Sequence, residues 1–193
     1  MKEDMSQLYS YYYRYEYKEI SEGVYERTLV KKDIDYAEKV VLDIGSGLDS
    51  ASFFISRGAK KVVCINYDQK ELDKINIPDN IEKINYCFEN CNGFSYFIGN
   101  IKPDIVKIDV EASEIYLVSN ELSEYIKVLK IPSFYIIEIH PIFNLDIADI
   151  LKIWEMWCDK VGIKLVGLRE FSHNTIENFN KNKLYMIYLE PIK

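Results

Sequence analysis

The chain has 193 residues, 48% of them apolar and 28% charged, with 31 acidic against 24 basic side chains and a formal charge of −7. That length suits one domain with its own core. No apolar run reaches the 18 or so residues of a membrane span, the opening Met1-Lys2-Glu3-Asp4 lacks the apolar stretch of a signal peptide, and the negative balance opposes a broad nucleic-acid-binding face.

Four cysteines, Cys64, Cys87, Cys91 and Cys158, are too few and too scattered for a disulfide scaffold. Cys87 and Cys91 could form half a zinc site, but no second pair or nearby histidine completes it. Reduced thiols and a cytoplasmic protein are expected. The compositional oddity is tyrosine: 16 in all, six of them between Tyr9 and Tyr17.

In chain order, Lys39 to Ile44 is a nearly continuous apolar run ending in Gly45-Ser46-Gly47, which predicts a strand covered on both faces. A helix is expected from about Ser50 to Arg57, capped by Asp49 or Ser50 and closed by Gly58. Val62 to Ile65 reads as a second buried strand, Glu71 to Ile75 as a short helix, and Lys83 to Phe88 as a third strand. Asp104 to Val110 makes a fourth, followed by the helical spacing of Ile115, Val118, Leu122, Ile126 and Leu129. Phe134 to Ile139 makes a fifth, followed by the apolar face of Ile147, Ile150, Leu151, Trp154, Trp157, Cys158 and Val161. The runs Ile163 to Leu168 and Leu184 to Leu189 have no helical pattern between them and should pair antiparallel.

The expected fold is therefore α/β: a Rossmann-like, seven-stranded, mostly parallel sheet with a C-terminal antiparallel hairpin and helices on both faces. Its ligand crevice should lie at the carboxyl ends of the strands, where strand order reverses.

Four motifs fall at those ends. In Asp43-Ile44-Gly45-Ser46-Gly47-Leu48-Asp49-Ser50, glycines follow the first buried strand and would let a ligand approach the backbone at a helix N-terminus. Asp43 is unfavourable beside a pyrophosphate but suits a ligand carrying an amino group and a sulfonium, which disfavours a nicotinamide-dependent reductase. Asn66-Tyr67-Asp68 closes the second strand. Lys107, Asp109 and Glu111 alternate along the fourth and share a face, which is costly unless the charges are paired or liganded. Glu138 and His140 close the fifth on one face, and a His–carboxylate pair can draw a proton from a hydroxyl. His173, the other histidine, falls in the polar hairpin connection.

The first motif resembles that of class I S-adenosylmethionine-dependent methyltransferases, Asp/Glu-x-Gly-x-Gly-x-Gly, with Asp49 in place of the third glycine. Lys107-Ile108-Asp109-Val110-Glu111-Ala112-Ser113-Glu114 and Glu138-Ile139-His140 resemble the FkbM-type members of that group, over about residues 38 to 190. The resemblance implies S-adenosylmethionine as cofactor. Gly45, Ser46 and Gly47 would pass beside its methionine part and Asp43 would anchor it. Asp49 would contact the cofactor or merely cap the helix. Asn66 stands where the family has a ribose-binding acid, with Asp68 a substitute and Tyr67 flanking the adenine. Asp109 would lie close to the transferred methyl group, and His140 with Glu138 and Asp109 would form the catalytic set. A divalent metal on Asp109, Glu111 and Glu138 is the minority option, because Lys107 could neutralise the same acids, so no metal is expected.

The resemblance thus implies O-methylation of a small-molecule or glycan hydroxyl. The alternative is a non-catalytic cofactor- or ligand-binding protein of the same fold, supported by the departures at Asp49 and Asn66. Residues 38–193 are expected to form the catalytic core, and residues 1–37 a tyrosine-rich cover over the crevice. Packing on the sheet edge or in a homodimer contact is an equal alternative for the tyrosines.

Overall fold

The computed structural model of the protein describes residues 28–30, 34–75, 79–89, 91–110, 113–114, 117, 127–140, 147–172 and 183–192. The tyrosine cluster, Glu111, Ala112, most of the helical pattern after Ser113, and His173 lie outside the described residues.

Among the described residues, eight strands form one sheet: β1 (Thr28–Val30), β2 (Val40–Ile44), β3 (Lys61–Asn66), β4 (Ile81–Asn85), β5 (Ile105–Ile108), β6 (Phe134–Ile139), β7 (Ile163–Ser172) and β8 (Lys183–Pro191). Helices α1 (Leu48–Ser56), α2 (Gln69–Lys74), α3 (Cys91–Ile101) and α4 (Ile147–Val161) are the helical elements delimited among the described residues. The spatial order is β1-β7-β8-β6-β5-β2-β3-β4. The seven expected strands are present. Five run parallel as β4-β3-β2-β5-β6, and the β7–β8 hairpin joins antiparallel through β8 on β6.

The sheet starts earlier in the chain than the sequence suggests. Thr28–Val30 adds an eighth, antiparallel strand on β7, with Leu29 opposite Leu168. Three residues are too short a run to show a period, so pattern alone does not reveal such an edge strand. Helix α3 was not expected either, because Gly93 and Gly99 lower its intrinsic propensity, although Phe94, Phe97, Ile98 and Ile101 recur at helical spacing. It is held by burial of Phe94, Phe97 and Ile98, and Phe94 stacks on Phe88 at 4.3 Å.

Alternation along the strands divides the core between two faces. Leu42, Ile44, Val63, Ile65, Val106 and Ile108 pack with Phe94, Ile98, Trp154 and Trp157 on one side. Val41, Val62, Cys64, Ile105 and Ile136 pack with Tyr36, Phe53 and Phe54 on the other. Asp43 and Lys107 interrupt this second face as direct cross-strand partners.

The chain lays β3 and β4 to one side of β2, then crosses to lay β5 and β6 on the other. Strand order therefore reverses between β2 and β5. In open α/β sheets that reversal opens a crevice beyond the strand ends, because the two connections depart to opposite sides.

Candidate functional site

A cavity of about 300 Å³ opens at this reversal, lined by Gly45, Ile65, Asn66, Tyr67, Asp68, Glu71, Tyr86, Cys87, Phe88, Asp109, Val110 and Ser113. Its walls combine aromatic and aliphatic surface with three carboxylates. Of the residues singled out in the sequence, Gly45, Asn66, Tyr67, Asp68 and Asp109 line it. Asp43, Ser46, Gly47, Asp49, Glu138 and His140 do not.

The turn after β2 explains the absence of Asp43. Its carboxylate is fully buried, and Oδ2 accepts 2.6 Å hydrogen bonds from both the Ser46 and Ser50 hydroxyls. Lys107 Nζ stands 3.3 Å from Oδ1 and donates to the Gly45 carbonyl at 3.1 Å. Ser50 Oγ also accepts from Gly47 N–H, at 3.2 Å, so the same hydroxyl ties the turn to the start of α1. Asp43 thus holds the glycine turn together from beneath. Asp49 is exposed in the first turn of α1, where a negative charge meets the positive end of the helix.

Gly45 has φ of +75°, and a Cβ there would lie 1.5 Å from the Asp109 carbonyl oxygen. The close approach that this glycine permits is to the backbone of the neighbouring strand end. Gly45 N–H donates to the Ile65 carbonyl at 2.8 Å and Asp109 N–H to the Ile44 carbonyl at 3.0 Å, clamping three strand ends together.

At the end of β3, each end of the Asn66 amide holds a backbone group, one in the turn after β2 and one in its own loop. Nδ2 donates to the Ser46 carbonyl at 2.9 Å and Oδ1 accepts Asp68 N–H at 2.8 Å. Asp68 Oδ1 accepts from Lys70 N–H at 2.9 Å and caps α2. Tyr67 is 70% exposed, and Tyr86 packs edge-on to Phe88 at 5.1 Å. A Cβ on Gly93 would come within 3.0 Å of Tyr86, so this glycine lets α3 press the two aromatic rings toward the cavity.

The ends of β5 and β6 carry a second cluster. Asp109 Oδ2 pairs with Lys107 Nζ at 3.2 Å, while Oδ1 lies 3.8 Å from His140 Nε2. Glu138 Oε1 is also 3.8 Å from Nε2. Fully buried Glu114 accepts the His140 backbone N–H at 2.7 Å through Oε1, which stands 3.2 Å from Nδ1. Burial alone would lower the imidazole's pKa. The hydrogen bond and charge of Glu114, then the charges of Glu138 and Asp109, outweigh it and raise the value to about 9.

Glu71, Tyr86 and Phe88 line the cavity without having been singled out from the sequence, while Val110, Ser113 and Glu114 entered only as members of a motif and Cys87 only as half a zinc site. Glu114 closes the Lys107-to-Glu114 motif, and that position was the available signal. The aromatic pair carries no motif and is assembled by packing. Cys64 and Cys158 are buried free thiols raised to about 12, the former by burial and then by Asp43, the latter by burial and then by Asp159.

No protein-family model matches the chain, and no curated protein matches it. Solved structures do. A candidate RNA methyltransferase from Pyrococcus horikoshii is 16% identical with a TM-score of 0.57, covering 82% of this chain and 77% of its own. A candidate S-adenosylmethionine-dependent methyltransferase from Listeria monocytogenes is 13% identical with a TM-score of 0.58, covering 83% and 94%. A third candidate methyltransferase, solved with S-adenosylhomocysteine, is 17% identical with a TM-score of 0.58, covering 80% and 46%. The chain has the class I methyltransferase fold. Likeness at this identity establishes architecture, and chemistry must be argued from the site. No helix among the described residues is long and apolar enough to cross a membrane.

Proposed function

We propose that the protein is an S-adenosylmethionine-dependent methyltransferase of FkbM-like type that methylates a hydroxyl of a small molecule or glycan. The observation that carries this reading is one cavity, at the strand-order reversal of a methyltransferase fold, lined both by aromatic rings and by Asp109. The cavity's chemistry fits the cofactor. Tyr67, Tyr86 and Phe88 offer flat apolar surface for the adenine, and Asp68, with its Oδ1 already capping α2, retains an oxygen for the ribose. Gly45 and Asp109 also line it, and the negative charge of Asp109 favours a cationic methionine moiety beside them. When bound, the cofactor supplies an electrophilic methyl group.

The chain's own residues align the acceptor, exclude water and receive a proton. Asp109 is the member of the Asp109–Glu138–His140 group that also lines the cavity, and it takes the acceptor's proton on this reading. Lys107 Nζ holds its Oδ2 at 3.2 Å, and His140 and Glu138 stand beside it. Asp43 acts by holding the turn. Titration calorimetry with S-adenosylmethionine tests the proposal: one-site binding is expected, followed by methyl transfer to members of a hydroxylated acceptor panel. A folded protein that takes up no cofactor at millimolar concentration would sink it. One observation favours the alternative, a non-catalytic binding protein: each end of the Asn66 amide already holds a backbone group, leaving one N–H and one lone pair for a ribose. Tight cofactor binding with no transfer to any acceptor would support that alternative.

A further inference from the structure

We infer that Asp109, Glu138 and His140 form a site for a single divalent cation of the manganese–zinc type. The ligand atoms of the three side chains lie within 4.8 Å of one another at the carboxyl ends of β5 and β6. His140 Nε2 stands 3.8 Å from both Asp109 Oδ1 and Glu138 Oε1. That is too long for a direct hydrogen bond. Three donors placed about 2.1 Å from a tetrahedral ion stand about 3.4 Å apart, so small side-chain rotations would close this set on a cation.

A second observation is independent of those spacings. Glu114, on the opposite side of the imidazole, holds Nδ1 and so presents Nε2 to the two carboxylates. Metal-binding histidines almost always have such a carboxylate or carbonyl on the other ring nitrogen, because it fixes tautomer and orientation. The remaining Glu114 oxygen, Oε2, is buried and has no hydrogen-bond partner among the described residues. Among the described residues, four carboxylates (Asp43, Asp109, Glu114 and Glu138) surround Lys107 and His140. Lys107 is committed to Asp43 and to the far oxygen of Asp109, leaving Asp109 Oδ1 facing the histidine. One imidazole and two carboxylate oxygens form a borderline donor set, suited to manganese, iron or zinc more than to calcium. Three protein ligands leave coordination positions open toward the cavity, which Asp109 also borders, and a hydroxyl oxygen there would be polarised.

The site does not rest on the methyl-transfer reading. Cofactor titration in chelator and metal titration without cofactor succeed or fail separately. The experiment is Mn²⁺ titration of the chelator-treated full chain, followed by electron paramagnetic resonance with spin-echo detection of ligand nitrogen. One equivalent bound is expected, with the signature of one imidazole. The chain has two histidines, so His173→Ala is the control and should retain that signature. His140→Gln should abolish it and weaken binding at least about tenfold. Glu114→Gln should weaken binding about ten- to a hundredfold while the imidazole signature persists at saturation. Absence of stoichiometric Mn²⁺ binding overturns the assignment. So does an imidazole signature that disappears in His173→Ala and survives in His140→Gln. Should His140→Gln fail to fold, the His173→Ala and Glu114→Gln measurements decide alone.

Discussion

Two aspartates close neighbouring strands on the same face of this sheet, and they share one lysine. Lys107 Nζ lies 3.3 Å from Asp43 and 3.2 Å from Asp109. Asp43, at the end of β2, is fully buried and spent on the hydroxyls of its own turn. Asp109, just past β5, keeps 27% of its side chain exposed and borders the cavity. Residue type, position at a strand end and ionic partner are all matched, so the difference comes from the following residues. Ser46 and Ser50 turn back to donate to Asp43 Oδ2, whereas Asp109 N–H is the group held by a neighbouring strand and one oxygen of its carboxylate remains available. A strand-end acid thus becomes a structural or a chemical group according to whether the next turn supplies donors.

The largest expected effect comes from removing what the two acids share. Lys107→Met leaves two carboxylates without their common cation, and should cost about 3–5 kcal/mol, measured by urea denaturation. Loss below about 1 kcal/mol would mean that the two ends do not depend on each other through this lysine. Next, the isosteric pair Asp43→Asn and Asp109→Asn should diverge. The first should lower stability by about 2–3 kcal/mol. The second should reduce methyl transfer by about a hundredfold or more with little change in unfolding midpoint. Similar profiles for the two variants would break the distinction.

Ser50→Ala removes one charge-assisted bond to Asp43 and should cost about 1.5–3 kcal/mol, with no counterpart at the Asp109 end. Gly93→Ala should displace Tyr86 by a few tenths of an ångström and weaken cofactor binding several-fold in calorimetry, with a stability change under about 1 kcal/mol. The smallest effect concerns thiols. Cys64, beside Asp43 in the sheet and raised to about 12, should stay unreactive to a disulfide reagent at pH 8 in the folded state, while exposed Cys87 at the cavity reacts. Rapid labelling of Cys64 would show that the β2 end opens.

The sequence made the seven-stranded sheet legible because its strands are long apolar runs and its last two lack a helix between them. It could not show β1, whose three residues have no partner nearby in the chain, because β7 lies more than a hundred residues later. The charged residues were legible as a group, through alternation at Lys107 and Asp109 and at Glu138 and His140. Their division of labour was not. Whether Asp43 faces a ligand or its own turn depends on Ser46 and Ser50 hydroxyl directions, which no spacing encodes. The Tyr86–Phe88 wall depends on α3, and α3 depends on tertiary burial overriding two glycines.

The contact between Gly45 and the Asp109 carbonyl has a mechanical consequence. With no side chain between them, the β2 turn and the start of the β5 loop behave as one rigid part. Any side chain at position 45 would wedge that part open, displacing the carboxylate at 109 by changing a residue in a different strand. Position 45 therefore sets the distance between the two halves of the crevice, in the manner of a shim whose thickness is zero.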